Sequence, residues 1–393
     1  MQCRCSAKKT HTTLQPCAVA DWYCPLPFRH AYVDSTGVAA CCQTPRQPVS
    51  LDQWSTTPYL KGLQQQILQG NMPSVCSGCQ QQESIQGRSL RTDSQQDYNY
   101  QRFVDTKIDF VDYRASNICN FKCRSCEPVF SHGIAAEARN NTVIAKYYPV
   151  VDTKTVSMDA TNIEWVRENL TQINKLMITG GEPTYMPEIQ LLVEKIVYDQ
   201  LDIDVMITTN ASFVNDFWCE VTRLYPKLHW TVSLDAVGPA AEIVRHGTKW
   251  SVVERNVRWL SQHAASMNIN TVVTNLNVMQ LAPLLTFVHE IQQESKTPRG
   301  RHGDQGCRHQ FHVSQRPYYL AVDNLSQELR GRAIYYLAQC LTLDLDVEQA
   351  HTIRGMLEQV QHAEFDSALW QRSVVFNTEL DRIRGQNYLS LYD

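Results

Sequence analysis

The chain has 393 residues, of which 43% are hydrophobic and 19% charged, and its formal net charge is -4. This length predicts one large domain with a smaller accessory unit. The mild acidity gives no basic surface for non-specific binding of nucleic acid. No run of apolar residues approaches the roughly 18 that a membrane span requires, and the first residues lack the apolar stretch of a secretion signal. We therefore expect a cytoplasmic protein that binds neither membrane nor nucleic acid.

Composition divides the chain into four segments. Residues 1–20 show no apolar periodicity and are expected to form a flexible tail. Residues 21–106 are rich in Gln, Ser, Pro and Cys, with one helical stretch near 59–68, which predicts a cysteine-rich module stabilised more by metal than by a core. Residues 107–320 show repeated strand and helix patterns, and residues 321–393 predict two or three packing helices.

Residues 107–320 predict six strands alternating with five helices. The strands are expected at 107–113, 175–179, 204–208, 229–234, 269–274 and 310–314, and the helices at 162–172, 188–198, 215–224, 250–263 and 281–293. This alternation favours an α/β fold with a parallel sheet and right-handed crossovers. Since eight units close a full barrel, six predict an open, partial (β/α)6 barrel.

Polar residues follow the ends of the first five predicted strands, in the sequences SNICNFKCRSCEP, TGGEP, TTN, SLDA and TNLN. Ligands of parallel β/α folds bind at the carboxyl ends of the strands, so these segments are expected to meet at one site. Turn formation explains Gly, Ser and Asn at any single strand end. It does not explain three cysteines within eight residues.

The cysteines of the first of these segments, Cys119, Cys123 and Cys126, suit an iron–sulfur cluster. Such clusters are normally held by four thiolates, so three leave one iron open to another ligand. Phe121 and Lys122 lie between the cysteines and are expected to shield the cluster. A structural zinc site completed by His132 is the alternative.

The CxxxCxxC spacing of these cysteines resembles the signature of the radical S-adenosylmethionine (SAM) superfamily. GGEP at 180–183 resembles the family element that contacts the methionine part of SAM. The resemblance spans roughly residues 107–320, but the sequence RGRHGDQGCRH at 299–309 departs from it and leaves the bounds of the last strand open. It implies that SAM is contacted by Phe121, Gly180, Gly181, Glu182, Thr208, Asn210, Ser233 and Asp235.

A second group of cysteines lies in residues 21–106, namely Cys24, Cys41, Cys42, Cys76 and Cys79. Their sequence context resembles the SPASM and twitch modules that hold auxiliary iron–sulfur clusters, although those modules usually follow the barrel. Four of the five would complete one cluster, and we favour Cys41 over its neighbour Cys42. A zinc ribbon is the alternative. The arginines of GRSLR at 87–91 could pair with acidic groups across the domain junction or lie solvated at the surface.

The resemblance implies an enzyme that reductively cleaves SAM to a 5′-deoxyadenosyl radical, which abstracts hydrogen from a substrate. Its expected cofactors are a [4Fe-4S] cluster, SAM and a second, auxiliary [4Fe-4S] cluster. Its expected partners are a peptide or small-molecule substrate and an electron donor such as flavodoxin or ferredoxin. Two other hypotheses are a non-catalytic zinc-binding module and a dithiol oxidoreductase using the CxxC at 76–79.

Overall fold

The computed structural model of the protein describes residues 22–114, 116–148, 160–295 and 306–393. The predicted tail at 1–20 lies outside these residues. Eight strands within them form one sheet, in the order β10-β9-β7-β6-β5-β3-β1-β2. The strands are β1 His30–Asp34, β2 Gly37–Ala39, β3 Phe110–Arg114, β5 Lys175–Thr179, β6 Asp204–Thr209, β7 Leu228–Ser233, β9 Ser266–Val273 and β10 Gly306–Val313, while the short β4 Lys122–Cys123 and β8 Arg245–His246 pair separately.

All neighbouring strands of the sheet pair in parallel, except β2, which returns antiparallel to β1. Strand β9 shows why the sheet has two different faces, since Met267, Ile269, Thr271 and Val273 are buried and alternate with half-exposed residues. Successive side chains of a strand point to opposite faces. One face of the sheet therefore packs against helices, and the other lines an interior that we call the barrel lumen.

The helices follow the strands as crossover connections. Helix α9 begins at Pro187, and its buried residues Ile189, Leu192, Val193 and Ile196 recur at the spacing of one helical face. The helices are α1 Leu26–Arg29, α2 Leu51–Trp54, α3 Pro58–Leu68, α4 Ser77–Gln86, α5 Leu90–Asp97, α6 His132–Asn140, α7 Thr142–Ala145, α8 Ala160–Glu168, α9 Pro187–Tyr198, α10 Asp216–Leu224, α11 Gly238–Val244, α12 Trp250–His263, α13 Leu281–Glu294, α14 Gln327–Cys340, α15 Val347–His362 and α16 Ser367–Arg384.

The predicted α/β fold with a parallel sheet is confirmed, and all six predicted strands and five predicted helices are present. Most bounds agree within three residues, and α12 spans the predicted range. The last strand was misplaced at its start, because β10 begins at Gly306 rather than at residue 310. The predicted helix at 162–172 divides into α8 and a 3₁₀ turn at Leu170–Gln172.

The segment 22–106 differs from the expectation that metal, more than a core, stabilises it. Its strand β1 pairs in parallel with β3, the first strand of the predicted barrel. Phe28, Val33, Trp54 and Leu60 are almost completely buried and belong to the same apolar cluster as the barrel helices. The contribution of this segment's few apolar residues to the core was underestimated, because those residues are concentrated at positions that face the shared core.

Two further features bear on the site. A cavity of about 730 Å³ opens at the amino-terminal ends of the strands, where Lys175, Asp204, Ser266 and Gly306 begin their strands. This end lies opposite to the cysteine loop, so the cavity is not the predicted site. In the described part of the chain, no helix is long and apolar enough to cross a membrane.

Candidate active site

The cysteine loop follows the carboxyl end of β3. Cys123 lies in β4 and pairs with Arg245 of β8, which fixes the middle of the loop. The backbone N–H of Cys126 donates to the carbonyl of Cys123 at 3.2 Å, and the N–H of Phe121 lies 3.4 Å from the sulfur of Cys119. The loop is therefore an ordered turn in which the backbone positions the three sulfurs.

Cys123 is buried, Cys119 and Cys126 are half-buried, and the three thiols are close enough to influence one another's pKa. Burial, with a smaller contribution from the charge of Cys123, raises the pKa of Cys119 to about 12. Burial also raises the pKa of Cys126, with added repulsion from Cys123 and Cys119. Metal ligation requires deprotonated thiols, so a bound metal has to supply the missing positive charge. The donor set fits an iron–sulfur cluster.

His132, the alternative fourth ligand, packs against the loop. The backbone N–H of Cys119 donates to its Nδ1 at 3.2 Å, and its own N–H donates to the carbonyl of Asn117 at 2.8 Å. His132 thus supports the loop at the start of α6, and its Nδ1 is occupied by this hydrogen bond.

The GGEP turn packs directly on the cysteine loop. Gly180 and Gly181 have φ angles of +84° and +59°, and a Cβ on Gly181 would lie 2.2 Å from the carbonyl oxygen of Ile118. Only glycine accommodates this approach without strain. The N–H of Glu182 donates to the same carbonyl at 2.8 Å. The turn after β5 therefore holds the cysteine loop that follows β3.

The carboxylate of Glu182 is buried and already engaged. Its Oε1 accepts from the hydroxyls of Thr184 and Thr209, each at 2.7 Å, and its Oε2 accepts from the N–H of Asn210 at 2.7 Å. Burial raises the pKa of Glu182 despite these donors. A carboxylate accepts about four hydrogen bonds, so little capacity is left for the ammonium group of SAM. The arrangement gives Glu182 a positioning role between the ends of β5 and β6.

The other predicted cofactor contacts surround the same strand ends. The Asn210 side chain donates to Oδ1 of Asn120 in the cysteine loop at 2.9 Å. Thr208 is half-buried in β6, and Ser233 is half-buried at the end of β7. The Phe121 ring is buried beneath the loop, where it lies against Gly247. Its ring packs within the protein rather than facing an open site.

Arg245 is a site residue that the sequence analysis missed. Its Nη1 donates to Oδ2 of Asp235 at 2.8 Å, while Oδ1 of Asp235 accepts from the N–H of Val272 at 2.8 Å. Burial alone would lower the pKa of Arg245, yet the charges of Cys123 and Asp235 raise it overall. Asp235, predicted to lie near the ribose of SAM, holds a cation beside the cysteines. Two-residue strands give no periodic pattern, so the sequence offered no signal for Arg245.

Arg124, between the second and third cysteines, anchors the loop to the carboxyl-terminal helix α16. Its guanidinium donates to the side chain of Asp381, to the carbonyl and side chain of Asn377 and to Gln386. Arg124 is 1% exposed, and its bonds to Asn377 are buried while those to Asp381 and Gln386 are partly buried. The helices of the last segment, expected only to pack, thus also position the cysteine loop.

Four of the five cysteines in residues 22–106 line one small buried pocket, namely Cys24, Cys41, Cys76 and Cys79. Burial raises the pKa of Cys41, and repulsion from Cys79 and Cys76 adds to the effect. Cys42 is exposed and faces Asp112 and Arg114. The structure therefore brings together the set that includes Cys41 and places Cys42 elsewhere.

The GRSLR arginines act within their own segment. The guanidinium of Arg91 donates to both oxygens of Glu83, at 2.9 and 2.5 Å, and to the carbonyl of Tyr23 at 3.1 Å. Arg88 pairs with Asp93 near the surface. The salt-bridge partners of both arginines lie inside the cysteine-rich segment. Asp93, and to a smaller extent Glu348 of α15, raise the pKa of Arg88, so Arg88 also lies near an acidic group of the last segment.

Among the described residues, no three His, Cys, Asp or Glu side chains converge closely enough to bind a single metal ion. This holds for both cysteine groups. Around one zinc ion every sulfur lies about 2.3 Å from the same centre. In a four-iron cluster each thiolate binds a different iron, so the sulfurs lie further apart.

A family model described as the Radical SAM superfamily matches residues 113–288, which include the cysteine loop, the GGEP turn and Arg245. The match covers just under half of the chain, and over these residues the chain resembles the radical SAM superfamily. This resemblance to radical SAM enzymes implies a [4Fe-4S] cluster and SAM as cofactors.

Two curated relatives of the chain are each named GTP 3′,8-cyclase. The chain is 24% identical over 187 residues to that of Nautilia profundicola and 26% identical over 187 residues to that of Campylobacter jejuni subsp. doylei. Each match covers 47% of this chain and 53% of the relative. The chain thus spans about half the length of the curated relatives it matches.

Similar solved structures include native anSMEcpe with bound AdoMet and Cp18Cys peptide, at 18% identity and a TM-score of 0.37, covering 58% of this chain and 56% of that one. Another is Streptococcus suis SuiB bound to precursor peptide SuiA, at 14% identity and a TM-score of 0.39, covering 68% of this chain and 59% of that one.

Proposed function

We propose that this enzyme cleaves SAM reductively at the Cys119, Cys123 and Cys126 loop and uses the resulting 5′-deoxyadenosyl radical to abstract hydrogen from a peptide or small-molecule substrate. The observation that carries the proposal is the convergence of three thiols with the GGEP turn at the carboxyl ends of β3 and β5. When bound, the cluster supplies one electron that breaks the carbon–sulfur bond of the sulfonium.

The residues of the chain position the reactants. Gly180 and Gly181 let the turn after β5 approach the cysteine loop, and Glu182 fixes the end of β6 beside it. Arg245, held by Asp235, places a positive charge next to the thiolates. The polar ends of β6 and β7, with Thr208 and Ser233, line the space expected for the nucleoside. Burial of these groups excludes water from a reactive radical.

The test is anaerobic reconstitution with iron and sulfide, followed by reduction in the presence of SAM. We expect 5′-deoxyadenosine from the wild-type protein and none from Cys123→Ala. Cys219→Ala is the matched control, because Cys219 lies on the outer helix α10, away from the loop. Product from Cys123→Ala at the wild-type rate would refute the assignment.

We further propose that Cys24, Cys41, Cys76 and Cys79 hold an auxiliary [4Fe-4S] cluster, in a module resembling the SPASM and twitch type. Their shared pocket supports this assignment, and the mutual repulsion of their thiols would be relieved by a metal. Cys76 and Cys79 lie in a 3₁₀ turn and α4, outside the β/α units, which disfavours a thioredoxin-like dithiol.

Metal content tests the auxiliary site. The two-cluster arrangement predicts roughly eight irons per chain, falling to about four in Cys41→Ala and unchanged in Cys42→Ala. About four irons in the wild-type protein, together with one zinc, would replace the auxiliary cluster by a zinc site. Equal iron loss in Cys41→Ala and Cys42→Ala would contradict the assignment of Cys41.

The substrate class and the electron donor are also proposals. Relatives named GTP 3′,8-cyclase and a solved structure holding a precursor peptide point to different substrates, so both a peptide and a small molecule stay candidates. A flavodoxin or ferredoxin is the expected donor. Replacing dithionite with reduced flavodoxin should sustain 5′-deoxyadenosine formation if such a donor serves.

A further inference from the structure

Three polar side chains face the barrel lumen at the carboxyl ends of β3 and β5. Val111 and Tyr113 of β3 belong to the apolar core, so Asp112 and Arg114, which alternate with them, point to the lumen. Thr179 is the register partner of Arg114 and lies on the same face of β5. The three residues form one patch across two neighbouring strands.

This patch contains buried atoms without a hydrogen-bond partner among the described residues. They are Oδ1 of Asp112, Nε of Arg114 and Oγ1 of Thr179. Asp112 is only 6% exposed, and burial raises its pKa to about 6, although Arg114 and the neighbouring hydroxyl of Thr179 lower it. Thr179 is therefore close to the Asp112 carboxyl, but its hydroxyl lies outside good hydrogen-bond geometry. Leaving such groups unpaired is costly, and more so when they are charged. Three in one patch indicate a place that a polar ligand completes.

The surroundings leave Arg114 available to a ligand. Its guanidinium lies 5.0 Å from the ring centroid of Tyr32 and 5.4 Å from that of Phe130. Arg46, the other cation near Asp112, is already paired with Asp34 at 3.1 Å. Among the described residues Arg114 forms no ion pair. A guanidinium between aromatic rings keeps its planar edge free for two parallel hydrogen bonds.

The patch adjoins the reactive site. A Cβ on Gly180 of the GGEP turn would lie 3.1 Å from Cβ of Arg114, so the patch begins beside the residues that support the cysteine loop. On its other side it faces Cys42 of the amino-terminal segment. A ligand on the patch would therefore lie within the lumen, next to the place where the proposed radical forms.

We propose that Asp112, Arg114 and Thr179 bind an amino-acid unit of the substrate, with Arg114 taking its carboxylate and Asp112 with Thr179 accepting from its nitrogen. This inference rests on the proposed function and specifies the substrate class for the same site. One available guanidinium beside a carboxylate suits a monoanion that carries its own donor. A phosphate dianion would instead be repelled by Asp112.

The test measures binding to the reconstituted holoenzyme with SAM, by saturation-transfer NMR. The probes are free L-amino acids, their N-acetyl derivatives, which keep the carboxylate but lose the charged ammonium, and their amides, which keep the ammonium but lose the carboxylate. We expect Arg114→Gln to weaken the binding of the free and N-acetyl forms by about tenfold or more, consistent with loss of a charged hydrogen bond. Asp112→Asn should weaken the binding of the free forms and the amides but leave the binding of the N-acetyl forms unchanged.

Two further variants separate binding from damage to the fold. Thr179→Val removes one hydroxyl and should weaken the free amino acids and amides more than the N-acetyl forms. Arg255→Gln, an exposed position on α12, should change no affinity. Iron content and the visible spectrum check that each variant is folded.

The subsite is overturned if no probe binds, or if Arg114→Gln and Asp112→Asn weaken the binding of all three probe classes equally. Binding that neither variant changes would also overturn it. Formation of 5′-deoxyadenosine from SAM and dithionite needs no probe and is measured in parallel. If the wild-type protein forms this product but binds no probe, only the proposed subsite is refuted. If it forms no product, the proposed function is refuted.

Discussion

At the scale of single residues, the pair of Arg245 and Asp235 decides the charge beside the cysteine loop. Asp235 is 1% exposed, so removing its partner would leave a buried carboxylate without a counter-ion. We predict that Arg245→Met lowers the free energy of unfolding by about 3–5 kcal/mol. Since reduction adds negative charge, loss of the cation should also make the midpoint potential of the proposed cluster more negative.

Voltammetry of the reconstituted protein measures the potential, and urea denaturation measures the stability. Arg245→Lys keeps the charge and should shift the potential less than Arg245→Met. Arg255→Met, on the exposed face of α12, serves as the control. An Arg245→Met protein with the wild-type potential would show that the guanidinium is not electrostatically coupled to the cluster.

Asp112 makes the stability of the protein depend on pH. Its pKa of about 6 in the folded state lies above its ordinary value of about 3.9, because burial disfavours the charged form. The folded state therefore holds this proton more tightly, and the stability it contributes is lost as pH rises from about 4 through about 6. Asp112→Asn carries no such charge. We predict that it is more stable than wild type at pH 8, by on the order of 3 kcal/mol, and that the gain shrinks toward pH 4.

Urea unfolding midpoints at pH 5, 6.5 and 8 check this prediction. Asp199→Asn is the control, since Asp199 forms only an exposed ion pair with Lys195 and should matter by less than about 1 kcal/mol. A gain for Asp112→Asn that is the same at pH 5 and pH 8 would assign the effect to packing instead of ionisation.

At the scale of secondary-structure elements, helix α16 holds the cysteine loop through Arg124. Its guanidinium donates to three side chains, and also to the carbonyl of Ile243 at 3.1 Å. Lysine has three donors and no planar fork, so it cannot replace this set. We predict that Arg124→Lys lowers the free energy of unfolding by about 3–5 kcal/mol, as for other disrupted buried pairs. It should also release iron faster under a chelator.

The same helix offers a matched control. Arg382 pairs with Glu379 but its side chain is 67% exposed, so Arg382→Lys should change stability by less than about 1 kcal/mol. Chelator-challenge kinetics followed by visible absorbance compare the two variants directly. Equal iron release from Arg124→Lys and wild type would mean that the loop holds its metal without α16.

The elements themselves were largely predictable, whereas their long-range partners were not. Buried β-branched runs such as 175–179 and the periodic helix 250–263 carry local patterns that the structure confirms. The Cys119, Cys123 and Cys126 spacing is equally local. Arg124 and Asp381, by contrast, are 257 residues apart, and each reads as an ordinary surface charge. Strand β1 was missed for a related reason. Its five residues are too few to show a strand pattern, and they form a strand by pairing with β3.

At the scale of the whole molecule, the two cysteine groups occupy opposite ends of one sheet. Cys24 precedes β1, and Ala40, next to Cys41, accepts from Nδ1 of His30 at the start of that strand. Cys119, Cys123 and Cys126 follow the other end of the neighbouring strand β3. The amino-terminal segment thus forms one wall of the lumen between the two cysteine groups, and Tyr32 places it beside the proposed substrate patch.

A shared sheet and core predict that residues 22–106 and 107–393 do not fold independently. Removal of the first segment would expose the edge of β3 and the apolar residues that Phe28 and Val33 now cover. We expect the fragment 107–393 alone to be insoluble or unfolded, and co-expression with 22–106 to restore a soluble complex. Calorimetry of the full chain should show one cooperative transition. Two separate transitions, with a fragment 107–393 that is folded alone, would instead make the amino-terminal segment an appended module whose contact with β3 adds little stability.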